Sequence, residues 1–240
     1  MSLSQLIEPE IKNDAFYHAI IKTIIHFPIS TILEIGASSG EGSTEAFVKG
    51  ILASKKNCQL YSVEVSKERY SALKNRYAYP WFFPYNVSSV PVDKFLNFEQ
   101  VSEFYRRYRT GLNQYSLEDV QSWLLQDSDY ILKQSIPQEG IQIIKRHSGI
   151  SEFDCVLIDG SAFSGESELK QIYGAKVIIL DDIHDIKNYA NWQALKKDSN
   201  YQLIRENKRL RNGFAIFIRH DIPKPSVWSS IKKRFSHYFA

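Results

Sequence analysis

The chain has 240 residues, of which 43% are hydrophobic and 24% charged, and these proportions exclude a disordered or fibrous protein. Its 30 basic and 27 acidic side chains give a formal net charge of +3, which is too small to indicate nucleic-acid binding. Two cysteines exclude a disulfide-stapled secreted fold, and the acidic N-terminus has no signal-peptide core. No apolar run approaches the ~20 residues of a membrane span, so we expect a cytoplasmic protein. The chain length favours a single domain.

In chain order, the predicted elements of the first third alternate between helices and strands. Apolar residues at helical spacing predict the first helix, and a β-branched run that breaks into a glycine loop predicts the first strand. The predicted elements are helices over 14–27, 43–52 and 67–76, and strands over 31–35, 60–65 and 81–86.

The segment 91–134 interrupts this alternation, because it is polar and aromatic with helical pieces at 98–108 and 117–125. We interpret it as a helical insertion. Beyond it the predicted elements are helices over 138–147, 166–173 and 186–195, and strands over 153–158, 176–180, 201–206 and 214–219. The last two strands are joined by a polar hairpin.

The C-terminal segment 224–240 carries apolar residues at helical spacing beside three basic side chains. We expect an amphipathic helix that packs on the domain or on a second subunit, so a homodimer is one predicted assembly. An interfacial membrane helix is the alternative.

Strands that alternate with helices predict an α/β fold, in which a doubly wound, mostly parallel sheet is covered on both faces. Ligands bind such sheets beyond the carboxyl ends of the strands. The polar residues of this chain that follow a predicted strand, or end it, are therefore expected to converge at one edge. They are Gly36 to Gly40, Glu64, Asn86, Asp159, Asp181 and Asp182.

The glycines after the first strand and the acid at the second form the first candidate binding site. Gly36 permits a sharp turn and lets a ligand approach the backbone. The spacing Gly36, Gly40, Gly42 differs from the Gly-x-Gly-x-x-Gly of pyrophosphate-binding loops. Glu64 can accept hydrogen bonds from both hydroxyls of a ribose. Together they favour a nucleoside without a pyrophosphate, although a plain strand–helix turn is the alternative.

Four motifs in this order resemble those of the class I S-adenosylmethionine-dependent methyltransferases, and within them the small-molecule and sugar O-methyltransferases. The motifs are LEIGASSG at 33–40, SVE at 62–64, FDCVLIDG at 153–160 and IILDD at 178–182. The resemblance covers about residues 15–219. It implies a Rossmann-like seven-stranded sheet with an antiparallel last strand, and S-adenosyl-L-methionine as the cofactor.

The resemblance also implies roles for individual residues. Glu34 would orient the loop near the methionine amino group, and Glu64 with Val65 would hold the ribose. Asn86 and Val87 would lie near the adenine. The residues passing under the methionine and ribose would be Gly36, Ala37, Ser38, Ser39 and Gly40, with Asp159 beside them.

This chain departs from the family's pattern at two places that bear on how the methyl acceptor is deprotonated and bound. Many relatives carry a histidine shortly after Ile-Asp-Gly, whereas here the run is Gly160-Ser161-Ala162-Phe163. The usual base at that position is therefore in doubt. The insertion at 91–134 is also long, and we expect it to form a lid over the substrate.

Three aspartates, Asp159, Asp181 and Asp182, stand at the ends of neighbouring predicted strands. Carboxylates so placed repel one another unless a cation or a proton sits among them. Their oxygens suit Mg²⁺ or Mn²⁺, and one branch of the resembled family holds a divalent ion with acids at these strand ends. Such an ion lowers the pKa of a substrate hydroxyl. The alternative is that one aspartate caps a helix while another faces solvent.

The remaining catalytic candidates lie on the loop after the fifth strand. His184 could serve as general base because its pKa lies near working pH, and Lys187 could stabilise a substrate oxyanion, with Asp159 as the third candidate. A surface histidine is the more common alternative. Arg211-Asn212 could reach an acidic or sugar substrate, but a solvated hairpin is favoured.

The expected function is methyl transfer from S-adenosylmethionine to a hydroxyl of a small molecule or sugar, with or without a divalent cation. A non-catalytic S-adenosylmethionine-binding module and a nicotinamide-dependent oxidoreductase are the alternatives. A DNA amino-methyltransferase is disfavoured, because Asp159-Gly160-Ser161-Ala162 does not match the Asn/Asp-Pro-Pro-aromatic motif of that class. No nucleic-acid partner is expected. Cys58 and Cys155 are expected to be buried, reduced and inert.

Overall fold

The computed structural model describes Leu3 and residues 5–223. The strands are β1 (Thr31–Ile35), β2 (Gln59–Val63), β3 (Phe82–Tyr85), β4 (Cys155–Ile158), β5 (Val177–Asp181), β6 (Tyr201–Asn207) and β7 (Phe214–Arg219). The helices are α1 (Ala15–His26), α2 (Ser43–Ser54), α3 (Lys67–Arg76), α4 (Phe98–Arg107), α5 (Leu117–Lys133), α6 (Gly140–Ser148), α7 (Gly165–Ile172) and α8 (Tyr189–Lys197).

The seven strands form one sheet in the order β3-β2-β1-β4-β5-β7-β6. β1 to β5 are parallel, whereas β7 runs antiparallel to both β5 and β6. This arrangement confirms the predicted fold class, a Rossmann-like, doubly wound and mostly parallel seven-stranded sheet with an antiparallel last strand.

The register of the central strands brings their carboxyl ends to one level. Ile35 of β1 lies opposite Val63 of β2 on one side and Ile158 of β4 on the other. The chain leaves β1 toward β2 and returns beside it with β4, so the strand order reverses at β1. A crevice forms beyond the carboxyl ends at such a reversal.

The core has a layer on each face of the sheet, because the central strands are buried on both sides. One layer packs α1 and α2 against the sheet, and the other packs α6 and α8 against it. Cys58 and Cys155 are buried and unpaired, as expected. β1 lies between the strand that follows Cys58 and the strand that begins with Cys155.

The insertion at 91–134 contains α4 and α5 with two short 3₁₀ turns at Val92–Lys94 and Gly111–Gln114. Its own apolar cluster includes Val101, Leu112 and Val120, and it packs on Phe163 and Ile186 from the loops after β4 and β5. The insertion is therefore attached at the edge of the sheet where the polar residues were predicted to converge. Its function as a lid stays a prediction.

Most element boundaries differ from the sequence prediction by one or two residues, and three differences concern elements around the predicted site. α5 continues to Lys133, eight residues beyond the predicted end at 125, because Ile131 extends its buried face. α8 begins at Tyr189 rather than at 186, because residues 182–188 form a turn in which Asp185 N–H donates to Asp182 O. β2 ends at Val63, so Glu64 follows the strand.

The predicted C-terminal helix at 224–240 lies outside the described residues, so the homodimer inferred from it stays a prediction. None of the helices in the described part of the chain combines the length and apolarity that crossing a bilayer requires.

Candidate functional site

A cavity of about 460 Å³ opens at the carboxyl ends of the central strands. Its wall includes the loop after β1, the residues after β2, the loops after β4 and β5, part of α5 and the N-terminal segment before α1. The predicted site residues that the structure brings together on this wall are Gly36, Ala37, Ser38, Ser39, Glu64, Val65, Asp159, Asp181, Asp182 and Lys187.

The glycine loop is shaped by a close approach of two backbones. Gly36 has a φ of +90°, and a Cβ there would lie 2.1 Å from the carbonyl oxygen of Asp159. Gly36 is therefore required where the loops after β1 and β4 meet. Gly40 lies behind the loop, where its carbonyl accepts a hydrogen bond from the Tyr77 hydroxyl (2.7 Å), and it is not part of the cavity wall.

Glu64 connects the glycine loop to the start of α3. Its Oε2 accepts from the Ser38 N–H at 2.8 Å, and its Oε1 accepts from the Ser66 N–H at 2.7 Å. The side chain is buried, and this burial raises the pKa of Glu64. Each carboxylate oxygen has a second lone pair, so the group can still accept from a ligand hydroxyl in the cavity.

Glu34 lies beneath the loop rather than on the cavity wall. Its carboxylate accepts from three hydroxyls, those of Ser43 (2.7 Å), Thr44 (2.8 Å) and Ser62 (2.6 Å). Complete burial raises the pKa of Glu34 to about 7. The side chain thus holds the first turn of α2 against β2, and through that turn it orders the loop.

Asn86 and Val87 are placed beside the cavity but are not part of its wall. The Asn86 amide donates to the carbonyl oxygens of Glu64 (2.8 Å) and Val65 (2.9 Å), so it secures the segment after β2. Val87 is buried against α6. The following Ser88 and Ser89 reach the wall instead, and the sequence analysis missed both.

Two basic side chains lie among the three aspartates. The Lys187 ammonium donates to Asp159 at 2.8 Å and to Asp182 at 2.7 Å. The Arg211 guanidinium contacts Asp181 at 3.2 Å. The mutual repulsion recognised in the sequence is therefore relieved by cations of the chain itself.

The Arg211 interaction corrects the preferred interpretation of the last hairpin. Arg211 was expected to be solvated, but only 19% of its side chain is exposed, and it pairs with Asp181 and with Asp14, the N-cap of α1. Asn212 donates to Asp185 at 3.5 Å. The sequence could not show this, because Asp14 lies 197 residues away.

Burial and charge together perturb the acids of this cluster. Burial raises the pKa of Asp159 to about 6 against the opposing charge of Lys187. Burial and the charges of the other two aspartates raise the pKa of Asp181 well above its usual value. Burial alone would lower the pKa of Lys187, but the surrounding carboxylates hold this pKa well above its usual range.

His184 is separated from the other catalytic candidates. Its ring packs on Trp192 with a centroid distance of 5.1 Å, and it is not part of the cavity wall. Burial lowers the pKa of His184 and so favours the neutral ring. Its Nε2 is buried with no hydrogen-bond partner among the described residues. The side chain is half-buried and lies outside the cavity wall.

A carboxylate from the insertion reaches the cavity, and the sequence analysis missed it. Asp127 of α5 accepts a hydrogen bond from the Ser161 hydroxyl at 2.7 Å, and burial raises its pKa. Ser161 stands where the resembled family has its histidine. Trp123 lies one helical turn before Asp127 and also lines the cavity. This i, i+4 spacing within a polar-aromatic helix was the available signal.

The fold resembles several solved structures at low sequence identity. A methyltransferase from Geobacter sulfurreducens is 11% identical over 88% of this chain and 80% of its own, with a TM-score of 0.47. An O-methyltransferase from Bacillus cereus in complex with SAH is 12% identical over 85% and 79%, with a TM-score of 0.44. A precorrin-6y C5,15-methyltransferase from Geobacter metallireducens is 10% identical over 92% and 94%, with a TM-score of 0.46.

No protein-family model matches this chain, and no curated protein sequence matches it. The functional assignment therefore depends on the residues of the cavity.

Proposed function

We propose that this chain is an S-adenosylmethionine-dependent methyltransferase that acts on a hydroxyl of a small molecule or sugar. The observation that supports it is one continuous cavity. The Gly36 loop and Glu64 line this cavity, and so do the charged side chains of Asp127, Asp159 and Lys187. Its volume of about 460 Å³ lies within the roughly 300–1,000 Å³ of small-molecule sites.

In this proposal, the cofactor lies on the Gly36 loop, and Glu64 accepts hydrogen bonds from its ribose. Ser88 and Ser89 follow β3, the neighbour of the strand that precedes Val65, and they line the same cavity, so they become the candidates for the adenine side. Bound S-adenosylmethionine supplies an electrophilic methyl carbon on a sulfonium. The chain contributes mainly by holding the acceptor oxygen in line with that carbon, since proximity and orientation dominate such transfers.

The acceptor would bind between the sheet edge and the insertion. Phe95, Leu112 and Trp123 provide an apolar wall, which suits the ring of a small molecule or the apolar face of a sugar. Asp127 would take the proton of the acceptor hydroxyl while the hydroxyl oxygen bonds to the methyl carbon, the carbon–sulfur bond breaks and S-adenosylhomocysteine leaves. Lys187 and Asp159 then lie beside the oxygen as the polar groups that orient it.

A divalent cation was predicted at Asp159, Asp181 and Asp182. The residues as arranged do not suit it, because Lys187 already contacts one oxygen each of Asp159 and Asp182, and Arg211 contacts both oxygens of Asp181. The proposed mechanism therefore has no step that uses a metal.

Calorimetric titration with S-adenosylhomocysteine, and separately with NAD, tests the cofactor. We expect binding of S-adenosylhomocysteine and no heat with NAD. A folded protein that binds only NAD would establish the oxidoreductase alternative. Incubation with S-adenosylmethionine and a panel of hydroxylated acceptors, scored by S-adenosylhomocysteine release, then separates an enzyme from a non-catalytic binding module.

A further inference from the structure

The three aspartates at the strand ends are spaced like the ligands of a metal site, but basic side chains of the same chain already contact them. One ligand oxygen from each of Asp159, Asp181 and Asp182 lies within 4.8 Å of the others. That is near the spacing of ligand oxygens on one Mg²⁺, which are at most about 4.2 Å apart at an ion–oxygen distance of about 2.1 Å. Whether a metal ion binds there depends on which positively charged side chains already contact these carboxylates.

The ammonium group of Lys187 lies between two of the three carboxylates. Its Nζ lies 2.8 Å from Asp159 Oδ1 and 2.7 Å from Asp182 Oδ2. Only 12% of the lysine side chain is exposed, against 16% and 19% for the two aspartates. The ammonium is thus a buried, doubly paired charge rather than a surface lysine that happens to point inward.

The backbone around Lys187 is secured from two sides. The neighbouring Asn188 is fully buried, and its amide donates to the carbonyl oxygens of Ile158 (3.0 Å) and Asp181 (2.7 Å), the last residues of β4 and β5. On the other side, a Cβ at Gly165 would lie 2.0 Å from the Lys187 carbonyl oxygen. The lysine therefore starts from a fixed point close to the aspartates.

Arg211 engages the third carboxylate. Its Nη2 lies 3.2 Å from Asp181 Oδ1 and 3.3 Å from Asp181 Oδ2, so both oxygens face the guanidinium. Asp14 holds the other side of Arg211. A metal ion bound to Asp181 would have to displace this interaction as well.

A divalent ion and the ammonium cannot share these oxygens. An ion within bonding distance of Asp159 and Asp182 would lie a few ångströms from Nζ, and two positive charges at that separation repel strongly in a buried site. We propose that Lys187 is the resident cation of this cluster and takes the place of a divalent metal. It is a positioning residue for the aspartates, and the site does not take up Mg²⁺ or Mn²⁺.

Titration with Mn²⁺ alone, followed by the electron paramagnetic resonance signal of the free ion, tests this without cofactor or acceptor. The outcome therefore stands whether or not the chain transfers methyl groups. The wild type should bind no Mn²⁺ below about millimolar concentration. Lys187→Gln, which removes the charge and keeps much of the length, should gain one site per chain and bind Mn²⁺ at least about tenfold more tightly than the wild type.

Lys176→Gln is the matched control, because Lys176 also pairs with an aspartate, Asp154, at 2.7 Å, but outside the cavity. It should behave as the wild type. The double variant Lys187→Gln/Asp182→Asn should lose the gained site, which locates the ion at the cluster.

Stoichiometric Mn²⁺ binding by the wild type, abolished by Asp182→Asn, would overturn the proposal. So would a Lys187→Gln protein with an unchanged circular dichroism spectrum that gains no site. If Lys187→Gln does not fold, the wild-type titration decides the question by itself.

Discussion

At the residue scale, Glu64 shows how one carboxylate can order a loop and also face a ligand. Its two oxygens accept from the N–H groups of Ser38 and Ser66, while the side chain borders the cavity. The family resemblance predicted only contact with a ribose. The structure adds the loop contacts, so a variant of Glu64 must be tested for both effects.

Glu64→Gln should lower the affinity for S-adenosylhomocysteine by at least about a hundredfold, because two hydrogen bonds to a charged acceptor contribute roughly 1.5–3 kcal/mol each. Calorimetric titration measures this, and circular dichroism checks the fold. Glu68→Gln, an exposed acid in the first turn of α3, is the control and should bind normally. Equal affinity in the two variants would reject the ribose role.

Asp127 is the second residue whose role can be isolated. With any acceptor that the wild type methylates, Asp127→Asn should lower kcat by about 10²–10⁴-fold, the usual contribution of a general base. It should also remove the acidic limb of the kcat pH profile and leave S-adenosylhomocysteine affinity within about twofold. Asp129→Asn, on the same helix but paired with Lys133 at the surface, is the control. Unchanged kcat in Asp127→Asn would exclude the base role.

Glu34 predicts a pH dependence of stability. Its pKa is about 7 in the folded chain, against 4.5 normally, so the folded state favours the protonated form. Stability from this group is therefore complete below about pH 4.5 and is lost as the pH rises through about 7. Glu34→Gln should match the wild type near pH 5 and exceed it at pH 8 by up to about 3 kcal/mol.

Urea unfolding at pH 5, 6, 7 and 8 measures the Glu34 effect. The amide can replace the carboxylate because the hydroxyls of Ser43, Thr44 and Ser62 can rotate to donate or accept. Glu152→Gln, at an exposed position, controls for a general change of charge. A constant difference between Glu34→Gln and the wild type across this pH range would contradict the prediction.

At the element scale, the insertion differs from the sheet it covers. α4 has a single buried residue, Val101, whereas every residue of β4 and β5 is buried. The insertion is held mainly by a small apolar cluster that includes Leu112 and Phe163. Segments with few buried contacts open more easily than the core, and substrate lids come from such segments.

Hydrogen exchange tests the lid. In the free protein, amides of α4 and of α5 up to Leu125 should exchange faster than those of β4 and β5. Addition of S-adenosylhomocysteine should slow exchange in the insertion and leave the two strands unchanged, which serves as the internal control. Uniformly slow exchange across 98–125 in the free protein would contradict a lid.

At the scale of the whole molecule, the site is assembled from distant parts of the chain. Arg211 of the last hairpin joins Asp14 at the start of α1 to Asp181 at the end of β5. The loops after β1 and β4 meet where Gly36 contacts the carbonyl of Asp159. The antiparallel strand β7 allows Arg211 to reach Asp181, because this strand returns the chain beside β5 next to the aspartates.

The sequence by itself determined the alternation of strands and helices, the sheet class and the edge at which polar residues gather. These follow from local periodicity and from the rule that parallel strands end at one edge, so they need no knowledge of distant contacts. Gly36 and Glu64 were identified in the same way. Their position depends only on the strand that each one follows.

Tertiary structure alone decided which charges meet. Lys187 among the aspartates, Arg211 between Asp14 and Asp181, and Asp127 beside Ser161 all join separate elements. The orientation of a side chain across a cavity depends on how helices and hairpins pack on the sheet. Local sequence does not encode that packing, so the sequence could not show that Lys187 lies between Asp159 and Asp182.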